Sequence, residues 1–150
     1  MTIKKVSIIG LGALGVLFGH HLSHKMRPED LQIIADQDRI LRYENEKIYS
    51  NGEPCNFHYV TPEEDCGPAD LLIVSVKYNG LKNAIESVKN HVGDDTIIIS
   101  LLNGITSETI IGETYGMDKV LYCVAQGMDA VKVGSELTCE HMGMLCFGSR

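Results

Sequence analysis

Three closely spaced glycines near the amino terminus constrain the fold of this chain more than any other feature. The run Val6–Ile9 is short, apolar and rich in β-branched side chains, which predicts a buried strand. Gly10, Gly12 and Gly15 follow it in the pattern GxGxxG. Apolar side chains then recur at helical spacing, at Leu14, Leu17, Phe18 and Leu22. The segment therefore predicts a strand, a glycine-rich turn and a helix in direct succession.

The rest of the chain repeats this alternation of strand and helix. Buried strands are predicted at residues 31–35, 71–76, 97–102 and 120–125. Helices are predicted at about residues 38–47, 81–88 and 106–115, the last with Thr106 or Ser107 as its N-cap. Such alternation is typical of a parallel sheet with right-handed crossovers.

Two segments break the alternation. Residues 48–60, with a turn at Asn51 and Gly52, predict a small antiparallel excursion. Short strands at residues 131–133, 137–139 and 144–147 predict antiparallel additions at the sheet edge. The predicted fold is a single α/β domain of the Rossmann type, with a doubly wound, mostly parallel sheet, helices on both faces and antiparallel edge additions.

Composition excludes several classes of protein. The 150 residues carry 13 Lys and Arg against 20 Asp and Glu, a net charge of −7 without a basic cluster, which disfavours nucleic-acid and anionic-membrane partners. Five cysteines form no CxxC pair and leave an odd thiol, as expected for the cytoplasm. The apolar stretch after Lys4 and Lys5 resembles a signal peptide, but no small-x-small cleavage site follows. No apolar run is long enough to cross a membrane.

The glycine pattern predicts a dinucleotide site at residues Gly10, Leu11, Gly12, Ala13, Leu14 and Gly15. Gly10 permits a tight turn, Gly12 lets the backbone approach a pyrophosphate, and Gly15 lets the helix lie close to the strand. The free N–H groups and partial positive charge of the helix N-terminus favour an anion. The alternative is a glycine-rich turn without a ligand.

Asp36 and Arg39 bear on the choice of cofactor. Asp36 ends the second strand, 21 residues after Gly15, where an acidic side chain accepts hydrogen bonds from the adenosine ribose and favours NAD(H). Arg39 lies one turn further and can reach the 2′-phosphate of NADP(H). The alternative role of Asp36 is to cap the following helix.

Lys77 and Asn103 each follow a predicted strand, at the edge of the sheet where ligands of open α/β sheets bind. The lysine can contact the cofactor ribose or a substrate carboxylate, and the asparagine can donate and accept hydrogen bonds. The alternatives are a solvated lysine and an ordinary Asn-Gly turn. His20 and His24 share a helix face but lack further ligands at matching spacing, so we predict no metal site.

These residues together resemble the ketopantoate reductase (2-dehydropantoate 2-reductase) family. The resemblance rests on IIGLGALG at residues 8–15, DLLIVSVK at 70–77, LNGI at 102–105, and MDA, HMGM and FG at 128–130, 141–144 and 147–148. It implies an NADPH-dependent enzyme that transfers a hydride to the 2-keto carbon of ketopantoate in pantothenate synthesis. It also implies that residues 10–15 bind pyrophosphate, that Lys77 and Asn103 serve the catalytic site, and that Ala130 contacts the cofactor.

Two features depart from the family. The family commonly has an Arg near the end of the second strand, where this chain has Asp36. Family members also carry a second, helical domain that supplies the lysine acting as general acid and most of the polar substrate contacts. Because this chain ends at Arg150, we expect residues 1–150 to be the cofactor domain of a split, truncated or trimmed reductase.

Two expectations follow from the missing helical domain. The chain is expected to bind dinucleotide with little or no turnover of a 2-keto acid substrate. It is also expected to expose an apolar flank, with residues 139–147 as the candidate, that receives the missing domain or mediates self-association. Two other functions stay open: a dinucleotide-sensing module without catalysis, and the nucleotide domain of another two-domain hydroxyacid dehydrogenase.

Overall fold

The computed structural model describes residues 2–102 and 106–148. Its helices are α1 (Ala13–Ser23), α2 (Gln37–Glu46), α3 (Leu81–Ser87) and α4 (Thr106–Tyr115). Its strands are β1 (Val6–Ile9), β2 (Leu31–Ile34), β3 (Tyr49–Ser50), β4 (Glu53–Pro54), β5 (His58–Val60), β6 (Leu71–Val74), β7 (Ile97–Ser100), β8 (Val120–Gln126), β9 (Val131–Val133), β10 (Glu136–Thr138) and β11 (Met144–Gly148).

Seven strands form the main sheet, in the order β11-β8-β7-β6-β1-β2-β5. Every neighbouring pair is parallel except β8 and β11, which are antiparallel. The order places β2 on one side of β1 and β6 on the other, with Val6 in register with both Leu31 and Leu71. The direction of winding reverses beside β1, so a crevice opens at the carboxyl ends of these strands, where the glycines follow.

Helices cover both faces of this sheet. Alternate strand residues point to opposite faces, so Ile8 belongs to a core with Val16 and Phe18 of α1. Ile9 belongs to a second core, which includes residues of α3 and α4. All four residues of β1 and of β2 are buried, as expected for a sheet covered on both sides. The predicted doubly wound, mostly parallel α/β fold is confirmed.

The strands before the crevice end earlier than predicted. β6 ends at Val74 and β7 at Ser100, two residues short of the predicted ends. For β6 the reason lies in its neighbour β1, which ends where Gly10 adopts a positive φ of 99° and turns away. The Ser75 amide still donates to the Ile9 carbonyl, but the chain beyond it has no strand to pair with. The predicted N-cap at Thr106 or Ser107 is also wrong, since both residues lie inside α4.

The two segments that were predicted to be antiparallel pair differently from the prediction. β5 was expected within the antiparallel excursion, yet it pairs in parallel with β2 at the edge of the main sheet. β9 and β10 were expected at that edge, yet they join β3 and β4 in a separate four-stranded sheet. Only β11 forms the predicted antiparallel addition.

Contacts distant in sequence hold this smaller sheet together. The Asn51 side chain donates to the Cys139 carbonyl and accepts from the Cys139 amide, both at 2.8 Å. Leu137 of β10 is almost fully buried in the core beside α1. A strand pattern of three residues does not indicate which strand it pairs with, so the pairing of β10 with β3 could not be predicted from the sequence. None of the helices among the described residues is long and apolar enough to span a membrane.

Candidate functional site

A cleft of about 650 Å³ lies at the carboxyl ends of β1, β2 and β6. It brings together six residues that the sequence singled out, namely Gly10, Leu11, Gly12, Asp36, Arg39 and Lys77. Further lining residues include Tyr43, Glu63, Ser75, Asn79 and Asn83. The cleft therefore combines the glycine-rich loop with polar and charged groups from three strand ends.

The glycine loop is packed so tightly that two of its glycines cannot carry a side chain. A Cβ at Gly10 would overlap the Ser75 carbonyl, and the positive φ is unfavourable for other residues. A Cβ at Gly15 would overlap the Gly10 carbonyl. These two glycines are therefore explained by packing within the protein alone.

Gly12 is different, because no atom of the described residues beyond its own backbone neighbourhood crowds the position of a Cβ there. A Cβ there would have the Ser75 carbonyl oxygen, 3.7 Å away, as its nearest neighbour. Gly12 is exposed in the cleft and is the N-cap of α1. Among the described residues no side chain caps this helix, and its first turn carries no acidic residue. The helix N-terminus that begins at Gly12 thus keeps its partial positive charge uncompensated, which favours an anionic ligand.

Asp36 and Arg39 lie together at the end of the cleft beyond β2. The Asp36 carboxylate accepts the Arg39 amide at 2.8 Å and thereby caps α2. Its other oxygen lies 3.5 Å from Nε of the Arg39 guanidinium. Both side chains are about half exposed, so each keeps hydrogen-bonding capacity toward the cleft. The capping role and a ligand-binding role of Asp36 are therefore compatible.

Two lysines, Lys77 and Lys132, lie close to the glycine loop. Lys77 is exposed, lines the cleft and precedes a 3₁₀ turn at Tyr78–Gly80. Lys132 of β9 donates from Nζ to the Leu11 carbonyl at 2.8 Å. Partial burial lowers the pKa of Lys132, and the positive charges of Arg42 and Lys77 lower it further. Sequence reasoning missed Lys132; its place two residues after Ala130 was the available signal.

The other predicted site residues lie outside the cleft wall or outside the described residues. Ala13, Leu14 and Ala130 are partly buried against the core beside α1. Asn103 lies outside the described residues, and its predicted role stays a prediction. Beside that segment, Ser100 Oγ and Ser107 Oγ form a buried hydrogen bond of 2.9 Å, which fixes the end of β7 to the first turn of α4.

Comparison with known proteins gives matches over most of the chain. The family profile of ketopantoate reductase PanE/ApbA matches residues 6–145. A 2-dehydropantoate 2-reductase of Streptococcus pyogenes is 28% identical over 109 residues, which are 71% of this chain and 35% of the relative. The chain thus spans about a third of the length of the curated relatives that it matches.

Solved structures share the fold. A 2-dehydropantoate 2-reductase from Geobacter metallireducens superposes with a TM-score of 0.77 at 23% identity, covering 97% of this chain and 49% of that protein. D-mandelate dehydrogenase, solved with NADH and anilino(oxo)acetate, has a TM-score of 0.73 at 23% identity, covering 91% of this chain and 45% of that enzyme. At these identities the likeness shows the fold.

Proposed function

The chain belongs to the ketopantoate reductase (PanE/ApbA) family, and on that premise we propose that it is the nucleotide-binding domain of an NAD(P)H-dependent oxidoreductase. The proposed reaction is hydride transfer to the 2-keto group of ketopantoate, a step of pantothenate biosynthesis. The substrate follows from the family and from its relatives, which are 2-dehydropantoate 2-reductases.

The observation that carries the cofactor proposal is the free space at Gly12. Packing explains Gly10 and Gly15, whereas the space beside Gly12 is not filled by any side chain of the described part of the chain. That room adjoins the uncapped N-terminus of α1 and lies near Lys77 and Lys132. Backbone amides, a helix N-terminus and cations are the groups that bind a pyrophosphate, so the residues present fit a dinucleotide.

Each residue of the cleft then has a distinct task. Residues 10–15 bind the pyrophosphate, and Asp36 or Arg39 contacts the adenosine ribose. Lys77 and Asn103 orient the nicotinamide ribose and the substrate, and Ala130 adds a cofactor contact. The bound dinucleotide supplies the hydride. The developing alkoxide needs a proton donor, which the family takes from its second domain, so we propose that residues 1–150 alone bind cofactor without appreciable turnover.

The proposal also covers the cellular compartment of the protein and the molecules that it binds. All five cysteines are free thiols, which a reducing compartment such as the cytoplasm preserves. The substrate is a small 2-keto acid, and a helical domain of the kind found in the family, or a second copy of the chain, covers the exposed flank. We propose no nucleic acid or membrane as a partner, in keeping with the net charge of −7.

A second candidate function is the nucleotide domain of another two-domain hydroxyacid dehydrogenase. The structural likeness to D-mandelate dehydrogenase and the acidic Asp36 favour it. A dinucleotide sensor would need the glycine loop and Asp36 but not Lys77, so the lysine in the cleft favours the reductase.

Calorimetric titration of the 150-residue chain with NADPH and with NADH tests the proposal. We expect saturable binding of at least one of them, with one site per chain. Tighter binding of NADH would support Asp36 as the ribose acceptor, and tighter binding of NADPH would assign the 2′-phosphate to Arg39. Absence of binding to both would refute the cofactor site. Ketopantoate reduction by this chain alone would contradict its proposed inactivity.

A further inference from the structure

Two histidines and a glutamate meet on the surface between α1 and the β3–β4 hairpin. His20 and His24 lie one turn apart on the last part of α1, which ends with His24 as its C-cap. Glu53 comes from β4, far along the sequence, and faces both imidazoles. We propose that His20, His24 and Glu53 bind a divalent transition-metal ion of the zinc type, at a site separate from the nucleotide cleft.

The spacing of the donor atoms carries this proposal. The two Nε2 atoms are 3.2 Å apart. The Glu53 carboxylate places one oxygen 3.3 Å from His20 Nε2 and the other 3.4 Å from His24 Nε2. Metal-to-ligand distances of about 2.0–2.2 Å in a tetrahedral zinc site imply separations of about 3.4 Å between neighbouring ligands. Each carboxylate oxygen thus lies at about the ligand-to-ligand distance from one imidazole nitrogen, and the donor atoms of the three residues all lie within 4.8 Å of one another.

Hydrogen bonding alone explains this arrangement less well. Hydrogen bonds between nitrogen and oxygen are most often about 2.9–3.0 Å long, shorter than all three separations found here. Two imidazoles whose Nε2 atoms face each other also need one protonated and one bare nitrogen. An ion that accepts electron pairs from both nitrogens removes that constraint and balances the charge of the carboxylate.

The surroundings of His20 fit a ligand role. Cys55 Sγ lies 3.4 Å from His20 Nδ1, on the opposite side of the ring from the donor atom. In the tautomer whose Nδ1–H donates to Cys55 Sγ, this contact holds the ring and leaves Nε2 free for a metal. The His20 side chain is only 14% exposed, whereas His24 and Glu53 are more than half exposed. The open side gives water access to a fourth position.

The donor set selects the class of ion. Imidazole nitrogens with one carboxylate suit Zn²⁺, Ni²⁺ or Cu²⁺, whereas Mg²⁺ prefers oxygen ligands. The site joins the end of α1 to a hairpin of the smaller sheet, so a bound ion stabilises the contact between these two parts of the fold. It involves none of the cleft residues, and its test is independent of the proposed function.

Zinc titration of the chain by calorimetry, followed in parallel by NMR of the histidine rings, tests the site. We expect one Zn²⁺ per chain, no comparable binding of Mg²⁺, and shifts of the His20 and His24 ring signals. His24→Ala and Glu53→Gln should each weaken zinc binding about tenfold or more. The neighbouring exposed His21 lies outside the cluster, so His21→Ala is the matched control and should bind zinc as the unaltered chain does.

Further variants separate this site from other metal-binding groups. A second cluster of possible metal ligands consists of Asp129, Glu140 and His141. If zinc binds at His20, His24 and Glu53 as proposed, His141→Ala should leave zinc binding unchanged. Because His24 and Glu53 are exposed, their replacement should preserve folding, which thermal unfolding without metal checks. Zinc should raise the unfolding midpoint of the unaltered chain but not of His24→Ala. Lack of saturable binding, or binding insensitive to His24→Ala and Glu53→Gln, would overturn the proposal.

Discussion

At the scale of single residues, replacing Gly12 and Gly15 tests separately which glycine is required for ligand binding and which is required for folding. Gly12→Ala should lower NADPH or NADH affinity at least about tenfold, because the new methyl group occupies the space facing the pyrophosphate. Its unfolding free energy should fall by less than about 1 kcal/mol, since the nearest atom of the described residues outside the adjoining backbone, the Ser75 carbonyl oxygen, lies 3.7 Å from the new carbon. Calorimetric titration and urea unfolding measure the two quantities.

Gly15→Ala provides the contrasting variant. Its Cβ overlaps the Gly10 carbonyl, so the helix has to move and the protein should lose about 1–3 kcal/mol of stability. If Gly12→Ala bound dinucleotide as tightly as the unaltered chain, the role given to its free space would be wrong.

Asp36 allows its capping and cofactor roles to be tested separately. Asp36→Ala should lower the unfolding free energy by about 1 kcal/mol, because the hydrogen bond to the Arg39 amide is lost. Asp36→Asn keeps a capping oxygen and should stay near the stability of the unaltered chain. It removes the negative charge, so it should shift relative affinity toward NADPH. Urea unfolding and paired titrations with both cofactors check these outcomes.

Arg39→Ala completes the comparison. If the guanidinium holds the 2′-phosphate, this variant should lose NADPH affinity while NADH affinity stays nearly constant. Equal losses for both cofactors would exclude a specific contact with the 2′-phosphate.

At the scale of elements, the turn after α3 depends on a buried neutral histidine. His91 is fully buried, and its Nε2 lies 3.3 Å from the Thr61 carbonyl. Burial lowers the pKa of His91 below its ordinary value of 6.5, and nearby Lys5 lowers it further, against the opposing effects of the hydrogen bond to the Thr61 carbonyl and of Glu64. Below pH 6.5 the unfolded chain therefore takes up a proton that the folded chain resists.

The free energy of unfolding should consequently decrease as the pH falls from 7 toward 5, by at most about 1.4 kcal/mol per pH unit for this one proton. His91→Gln removes the titrating group and should reduce that slope, whatever its effect on stability at pH 7. Urea unfolding at several pH values measures the slope. His58→Gln makes the same replacement at an exposed histidine and serves as the control for the substitution itself. An unaltered slope in His91→Gln would contradict this assignment.

The elements also show how far sequence reasoning reaches. The buried strands Val6–Ile9 and Leu71–Val74 and the glycine turn were predictable, because strong apolar runs and glycine spacing are local signals. The partners of β5 and β10 were not, because strands of three residues carry no information about pairing. Tertiary contacts between distant segments decide those pairings.

The same distinction holds for the candidate sites. Gly10, Asp36 and Lys77 each follow a recognisable strand, so their meeting in one cleft was predictable. Lys132 reaches Leu11 across 121 positions. Glu53 meets His20 across 33 positions. No spacing rule connects such residues, so the histidine pair lacked a visible third ligand in the sequence.

At the scale of the whole molecule, the edge of the main sheet beyond β8 remains apolar and open. β11 is the edge strand, and Met144 and Phe147 are 60% and 66% exposed. Val124 of the neighbouring β8 is 54% exposed. An edge strand with large exposed apolar side chains favours pairing with further polypeptide. This edge includes residues 144–147 of the flank proposed to receive a helical domain or a second copy.

The open edge predicts reversible self-association of the 150-residue chain. Sedimentation velocity should show an average mass that rises with protein concentration, and Phe147→Glu should reduce that rise by placing a charge on the edge strand. Val133→Glu is the matched control, because Val133 is 74% exposed and lies on the smaller sheet, so the same charge should leave association unchanged. A chain that stays monomeric at high concentration would contradict this role of β11. Equal effects of the two substitutions would instead attribute the association to overall charge, because each adds one negative charge to a molecule that already carries −7.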